Sequence, residues 1–288
     1  MAMRALPSIQ PSAPALATRV AVYAALCVAG TITLAPFYWE FVLATHTTAD
    51  ISNTPPPIWP GTAVVQNYRT LLDHAPYFWR SMLNSGIIAV ASAAITIFFS
   101  ALGGYAFARY SFPGKEKLFW LLLLTMLIPG QLGLIPWYIE MAHLGWTNSF
   151  LPFTVPAIGN AFGTFWMRQY IASAIPAELF DAARIDGCGE FGVFWRIVLP
   201  LAAPASGALA ITTFIGGWNS FLGPLTLMSD PSMYTYPVAL ANLKGVHGTD
   251  TGALLLGSAI ATIPMLLITL FGSRRLIDGL TAGALSGQ

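Results

Sequence analysis

Side chains able to do chemistry are few in this chain, and they fall into two sets of different character. The first is a run of charge, Glu178, Asp181, Arg184, Asp186, Glu190 and Arg196, within residues 169–203. The second is uncharged: Gln131, Asn160, Trp218, Asn219 and Ser220, each set among apolar neighbours. Amides can donate to and accept from solute hydroxyls, and an indole can stack on the apolar face of a ring. Neither set has a catalytic pattern, because His-Glu-x-x-His and Gly-x-Ser-x-Gly do not occur and no Cys/His spacing suits a metal. Gly-x-x-x-x-Gly-Lys-Ser/Thr is missing too, so the chain lacks that means of cradling nucleotide phosphates. No catalytic residue, metal ligand or cofactor is assigned to it.

The elements that carry these side chains follow from composition. Of 288 residues, 56% are hydrophobic and 9% charged, where a soluble domain carries about 25% charged residues. Six charge-free stretches, 20–39, 81–108, 118–139, 141–167, 197–229 and 251–273, are each long enough to cross a bilayer. If all six cross, Lys and Arg divide ten (Arg4, Arg19, Arg109, Lys115, Lys117, Arg168, Arg184, Arg196, Arg274, Arg275) against three (Arg69, Arg80, Lys244). The positive-inside rule then places both termini in the cytoplasm. The expectation is an all-α polytopic membrane protein with six transmembrane helices: a cytoplasmic tail over 1–19, a six-helix domain over 20–275 and a second cytoplasmic tail over 276–288. Gln131, Asn160 and Trp218 to Ser220 fall at membrane depth, where polar groups are costly unless they face a cavity or a partner helix. Helix-to-helix hydrogen bonding and space filling are the competing roles for each of them. Gly159 and Gly163 have a small-xxx-small spacing that permits close helix approach, and Pro129, Pro136, Pro224 and Pro264 can bend their spans.

A net charge of +1 and scattered cations leave no footprint for nucleic acid. Cys27 and Cys188 fall in different environments, which argues against a disulfide between them. Glu40, Glu140 and all four histidines map to the outer ends of spans or to outer segments, so no intramembrane proton relay is indicated.

The inner segment 169–203 contains a well-punctuated helix. Pro176 suits its first position and Gly187 a left-handed terminus, with Glu178 and Asp181 towards the positive end of the dipole and Arg184 towards the negative end. So short a helix is marginal alone and needs a partner surface. Leu179, Ala182, Ala183 and Asp186 share one face by three- and four-residue spacing, a face of small and apolar groups that suits a groove. An amphipathic loop lying on the bilayer is the plainer alternative.

The string Asp181-Ala182-Ala183, Gly187, Ile197 and Leu199-Pro200 resembles the EAA motif of permease subunits from ATP-binding-cassette importers, with Asp181 where glutamate is usual. Asn84-Ser85, Gly103 to Tyr110, Ile128-Pro129-Gly130-Gln131, Phe162 to Phe165, Arg168-Gln169, Trp218 to Phe221 and Gly279 to Ala284 are similar to the carbohydrate-uptake branch, near the maltose-type second permease. The resemblance implies the type I importer permease fold and a multi-pass place in a bacterial inner membrane. It also implies a second, different permease subunit, two ATPase subunits that hold ATP and Mg, and an extracytoplasmic solute-binding protein. Glu178, Asp181, Ala182, Ala183, Arg184, Asp186 and Gly187 then become the ATPase-coupling residues. Gln131, Asn160, Trp218, Asn219 and Ser220 become candidates for the path of a sugar. Glycerol phosphate-type solutes are the alternative, disfavoured by the lack of an intramembrane Arg or Lys. A secondary carrier is a more distant one, since mid-membrane ion-coupling charges are missing.

Overall fold

The computed structural model describes residues 16–245 and 248–285. The longer helices are α1 (Leu16–Leu43), α2 (Val64–His74), α3 (Phe78–Arg109), α4 (Lys115–Thr125), α5 (Leu134–His143), α6 (Ala161–Ala174), α7 (Ala177–Ile185), α8 (Ala203–Trp218) and α9 (Thr251–Leu285). Among the described residues the strand content is one two-residue antiparallel ladder, β1 (Lys244–Gly245) with β2 (Gly248–Thr249), in which Lys244 faces Thr249. Residues 1–15 and 286–288 of the expected tails lie outside the described residues, whereas 16–19 open α1 and 276–285 continue α9.

Stretches Thr18–Leu43, Phe78–Arg109 and Thr251–Gly272 are long and apolar enough to cross a membrane unbroken. Two further expected spans are bent. Lys115–Thr125 meets Gly130–His143 at 88° across Pro129-Gly130, and Glu190–Leu201 meets Ala203–Trp218 at 74° next to Pro200 and Pro204. Proline removes an N–H and crowds the preceding turn, so a sharp kink at these points has a local cause.

The stretch 141–167 departs from the expectation of one continuous span. Here α5 ends at His143, Gly145 turns the chain at φ 71°, and Pro152 and Pro156 fall in the short segments Leu151–Thr154 and Val155–Gly159. A fresh helix, α6, starts only after Asn160, whose carboxamide oxygen accepts from the Gly163 N–H at 2.6 Å. Freedom from charge makes a segment soluble in lipid but does not make its backbone continuous. Likewise the stretch 197–229 breaks at Asn219, the C-cap of α8, before a short helix resumes over Leu222–Leu227.

The core is organised around α3, which packs along α6 and α8, while α8 packs along α9. Its buried side is a stripe of small groups: Ser81, Ser85, Ala89, Ser92, Thr96, Ser100 and Gly104. Small side chains let helix backbones close up where lipid supplies no hydrophobic drive between helices. A Cβ built on Gly104 would lie 2.6 Å from Met167 Cβ and 2.7 Å from the Arg168 backbone nitrogen, so α3 and α6 are in backbone contact there. The Gly159/Gly163 pair is used by half: Gly163 meets Ser100, while Gly159 has open space around it.

Candidate functional site

The helix marked out by Pro176 and Gly187 is α7. Pro176 precedes it in an extended conformation and Glu178 sits in its first turn. Gly187 takes φ 78°, its N–H donates to Arg184 C=O at 3.1 Å, and Cys188 N–H donates to Ala183 C=O at 2.9 Å. This bond pair is a Schellman terminus, which satisfies carbonyls that would otherwise be orphaned.

A helix of nine residues cannot hold itself in water, and α7 is held through one buried face. Phe180 (3% exposed) and Ala183 (6%) turn inwards to join a cluster with Tyr105, Met167, Ile171, Ile175, Val193, Phe194 and Val198. The Phe180 ring stacks on Tyr105 at 5.8 Å and lies 4.4 Å from the Arg109 guanidinium carbon, a cation–π arrangement. Arg109 also donates to the carbonyls of Ile171, at 3.2 Å, and Ile175, closing the last turn of α6. The C-terminal end of α3 thus grips both α6 and α7.

The outward face differs from the expected one in two positions. Ala183 belongs to the core, because its partner in helical register is the buried Phe180. Ile185, at 87% exposure, instead stands out beside Glu178, Leu179, Asp181, Ala182, Arg184, Asp186 and Gly187, all of them exposed. An isoleucine between Arg184 and Asp186 was a usable signal for an outward apolar contact.

A second group forms where α7 turns towards α8, and it joins Glu190, Tyr105 and Tyr110, none of them in the expected set, to the expected Asp181 and Arg184. Arg184 Nε donates to Glu190 Oε1 at 3.0 Å, and its Nη1 lies 3.7 Å from Asp181 Oδ1. Glu190 Oε2 accepts from the Tyr105 hydroxyl at 3.0 Å and from the Tyr110 hydroxyl. The Tyr110 hydroxyl and the Arg184 guanidinium hold the Glu190 carboxyl below the usual carboxylate range. This contribution is complete above the ordinary carboxylate value and is lost as pH falls through the lowered one.

The expected solute-path residues do not converge. Gln131 is exposed at the bend between α4 and α5, its side chain without a hydrogen bond among the described residues. Trp218 is 5% exposed, donates Nε1–H to Ala261 C=O at 3.2 Å and stacks on Phe214, so it is packing inside the chain. Asn219 ties the end of α8 to the start of the short helix Tyr236–Ala241: Oδ1 accepts from the Tyr236 hydroxyl at 2.5 Å and Nδ2 donates to Ile215 C=O at 3.0 Å. Ser220 is half-buried, and its carbonyl accepts from Thr235. Asn160 alone of the five lines a cleft of about 420 Å³, together with Ser92, Thr96, Thr212, Thr213, Phe153 and Phe162. The cleft pairs hydroxyls and an amide with aromatic rings and has no ionisable lining residue, a chemistry suited to a neutral polyhydroxylated solute. The pair Thr212-Thr213 within a charge-free stretch is the sequence feature that marks this lining.

An all-helical body with several membrane-length apolar helices, small-residue packing and one short polar helix braced at one end of its core defines an integral membrane transport component. The chain belongs to the family of binding-protein-dependent transport system inner membrane components, whose family model matches residues 44–278. It is 36% identical over 228 residues to the arabinooligosaccharides transport system permease protein AraQ of Halalkalibacterium halodurans, covering 79% of this chain and 81% of that one. It is 34% identical to the sn-glycerol-3-phosphate transport system permease protein UgpE of Salmonella typhi, covering 86% and 91%. It is 29% identical to the lactose transport system permease protein LacG of Rhizobium radiobacter, covering 90% and 93%. Its fold is similar to a chain in the crystal structure of a bacterial ABC transporter that imports the acidic polysaccharide alginate. That likeness has a TM-score of 0.72 and 21% identity over 92% of this chain and 99% of the other.

Proposed function

We propose that this chain is a permease subunit of an ATP-driven, binding-protein-dependent importer of a neutral sugar in a bacterial inner membrane. It pairs with a second, unlike permease subunit. Two ATPase subunits beneath them hold ATP and Mg, and an extracytoplasmic binding protein delivers the solute. The chain itself is not an enzyme. It crosses the membrane six times with both termini inside, each bent pair counting as one crossing and the broken segment before and including α6 supplying another. Glu178, Asp181, Ala182, Arg184, Asp186 and Gly187 on the outward side of α7 form the contact with an ATPase subunit, with Ala183 behind them as packing. The single observation that carries this reading is the build of α7: a helix too short to stand alone, braced by Phe180 on the ends of α3 and α6 while its polar and apolar outer face is left open. Copurification tests it, since the tagged chain is expected to bring an ATPase and a second permease, and reconstituted uptake is expected to require ATP and the binding protein. Uptake by the purified chain alone overturns it.

The UgpE likeness raises glycerol phosphate as a second solute. A phosphorylated ligand is best held by Arg or Lys, and the cleft is lined by neither. The cleft also yields a paired prediction. Thr213 makes no hydrogen bond among the described residues, so Thr213→Val is nearly isosteric and is expected to spare complex yield while lowering uptake several-fold. Asn219→Leu removes the acceptor of the Tyr236 hydroxyl, a partly exposed bond worth about 0.5–1.5 kcal/mol, and is expected to lower yield and uptake together. Uptake by both variants measured per assembled complex checks the contrast; a loss confined to Asn219→Leu removes the cleft from the solute path.

A further inference from the structure

We infer that Glu190 is a positioning residue that ties the C-terminal turn of α7 to the inner end of α3, so that a push on α7 moves α3 as well as α8. The inference rests on the coupling role proposed above and names a second output for it. Glu190 opens the segment Glu190–Leu201, which runs on into α8, and its carboxylate stands where three parts of the chain meet. Oε1 takes the Arg184 Nε–H from α7. Oε2 takes the hydroxyls of Tyr105, within α3, and Tyr110, the residue that caps it. The two tyrosine rings pack edge to face at 5.3 Å, which limits how far either hydroxyl can swing away.

The effect of this contact is on direction of motion more than on folding. Phe180 already anchors α7 in the core, and Glu190 and Arg184 are exposed, where ion pairs add little to stability. Between α7 and Glu190 the backbone passes through Gly187 in its left-handed conformation, a point about which α7 can swivel. Charge-assisted bonds on both sides of that point remove the swivel. A load on the exposed Leu179 and Ile185 is then delivered to α3. From α3 it reaches α6, with which α3 is in backbone contact at Gly104, and the cleft wall at Ser92 and Thr96.

The test uses the complete transporter in proteoliposomes, with wild type, Glu190→Gln, Tyr110→Phe and the double variant, measuring solute moved per ATP hydrolysed. Assembly yield and ATPase rate are expected to stay near wild type while the transport-to-ATP ratio falls about fivefold in each single variant, the loss expected from one charge-assisted bond. The double variant is expected to be no worse than the worse single one, because both changes open the same contact. Glu190→Asp, which keeps the charge on a shorter arm, is expected to restore part of the ratio. An unchanged ratio in Tyr110→Phe and Glu190→Gln overturns the inference, as does a ratio that falls only in step with assembly. Should Glu190→Gln fail to assemble, Tyr110→Phe decides alone, since it removes one hydroxyl and no packing. Failure of the wild-type complex to couple ATP to uptake would count against the proposed function instead.

Discussion

Replacing Gly104 by valine is expected to abolish recovery of folded protein. The built Cβ already sits 2.6 Å from Met167 Cβ and 2.7 Å from the Arg168 nitrogen, and a backbone atom cannot rotate away as a side chain can. Relief requires α3 and α6 to separate along the contact that also positions Arg109 against the carbonyls of Ile171 and Ile175. Overpacking of this kind costs on the order of 3 kcal/mol or more, a large part of the total stability of a domain. Gly103→Ala is the matched control: its nearest neighbour is the Thr164 methyl at 3.2 Å, a side chain able to give by a few tenths of an ångström. Monodisperse yield in detergent and the thermal midpoint of what is recovered check the pair. Equal yields for Gly104→Val and wild type would mean that α3 and α6 do not meet at this position.

The second large effect is expected at Gly187, by a different physical route. No atom lies within 4 Å of a Cβ placed there, so nothing clashes; the cost comes from φ 78° alone. A β-branched residue is a poor fit to the left-handed region, and the strain is worth about 2 kcal/mol. The chain escapes it by unwinding the Schellman terminus, which frees the Ala183 and Arg184 carbonyls and loosens the outward face of α7. For a helix this short, such a cost shifts the docked-to-frayed ratio by about 30-fold. Gly187→Val is therefore expected to keep membrane yield, because the Phe180 cluster is untouched, yet to lose most ATPase assembly and nearly all uptake. Gly187→Asn, which tolerates the left-handed region, is expected to retain much of both. Assembly and uptake at wild-type levels in Gly187→Val would refute the coupling role of α7.

These two glycines also mark how far the sequence could be read. Gly187 was legible, since a glycine following a helix with Pro176 at one end and Arg184 near the other has a local meaning that needs no tertiary partner. Gly104 was visible only as part of a family-like string, and its importance came from α6, a helix 57 or more residues further along the chain. The spans α1, α3 and α9 were likewise legible from freedom from charge, whereas the breaks at Pro129, Pro152, Pro156 and Asn219 were not, because composition reports solvation and not backbone continuity. Trp218 could not be assigned either: an indole at membrane depth serves equally for stacking on a solute or filling a core, and the position of Ala261 and Phe214 decides for the core.

From the sequence alone come the membrane setting, the short charged helix with its caps, and the likeness to importer permeases. All three depend on local composition or on the order of residues along a few turns, and transfer free energy and capping act at that range. The tertiary structure alone decided which face of α7 is buried, that Asn160 shares a cleft with Thr212 and Thr213, and that Glu190 stands between α7 and α3. Each of those depends on which distant segments touch, and side-chain direction is settled by the partner surface that excludes solvent or lipid from one side.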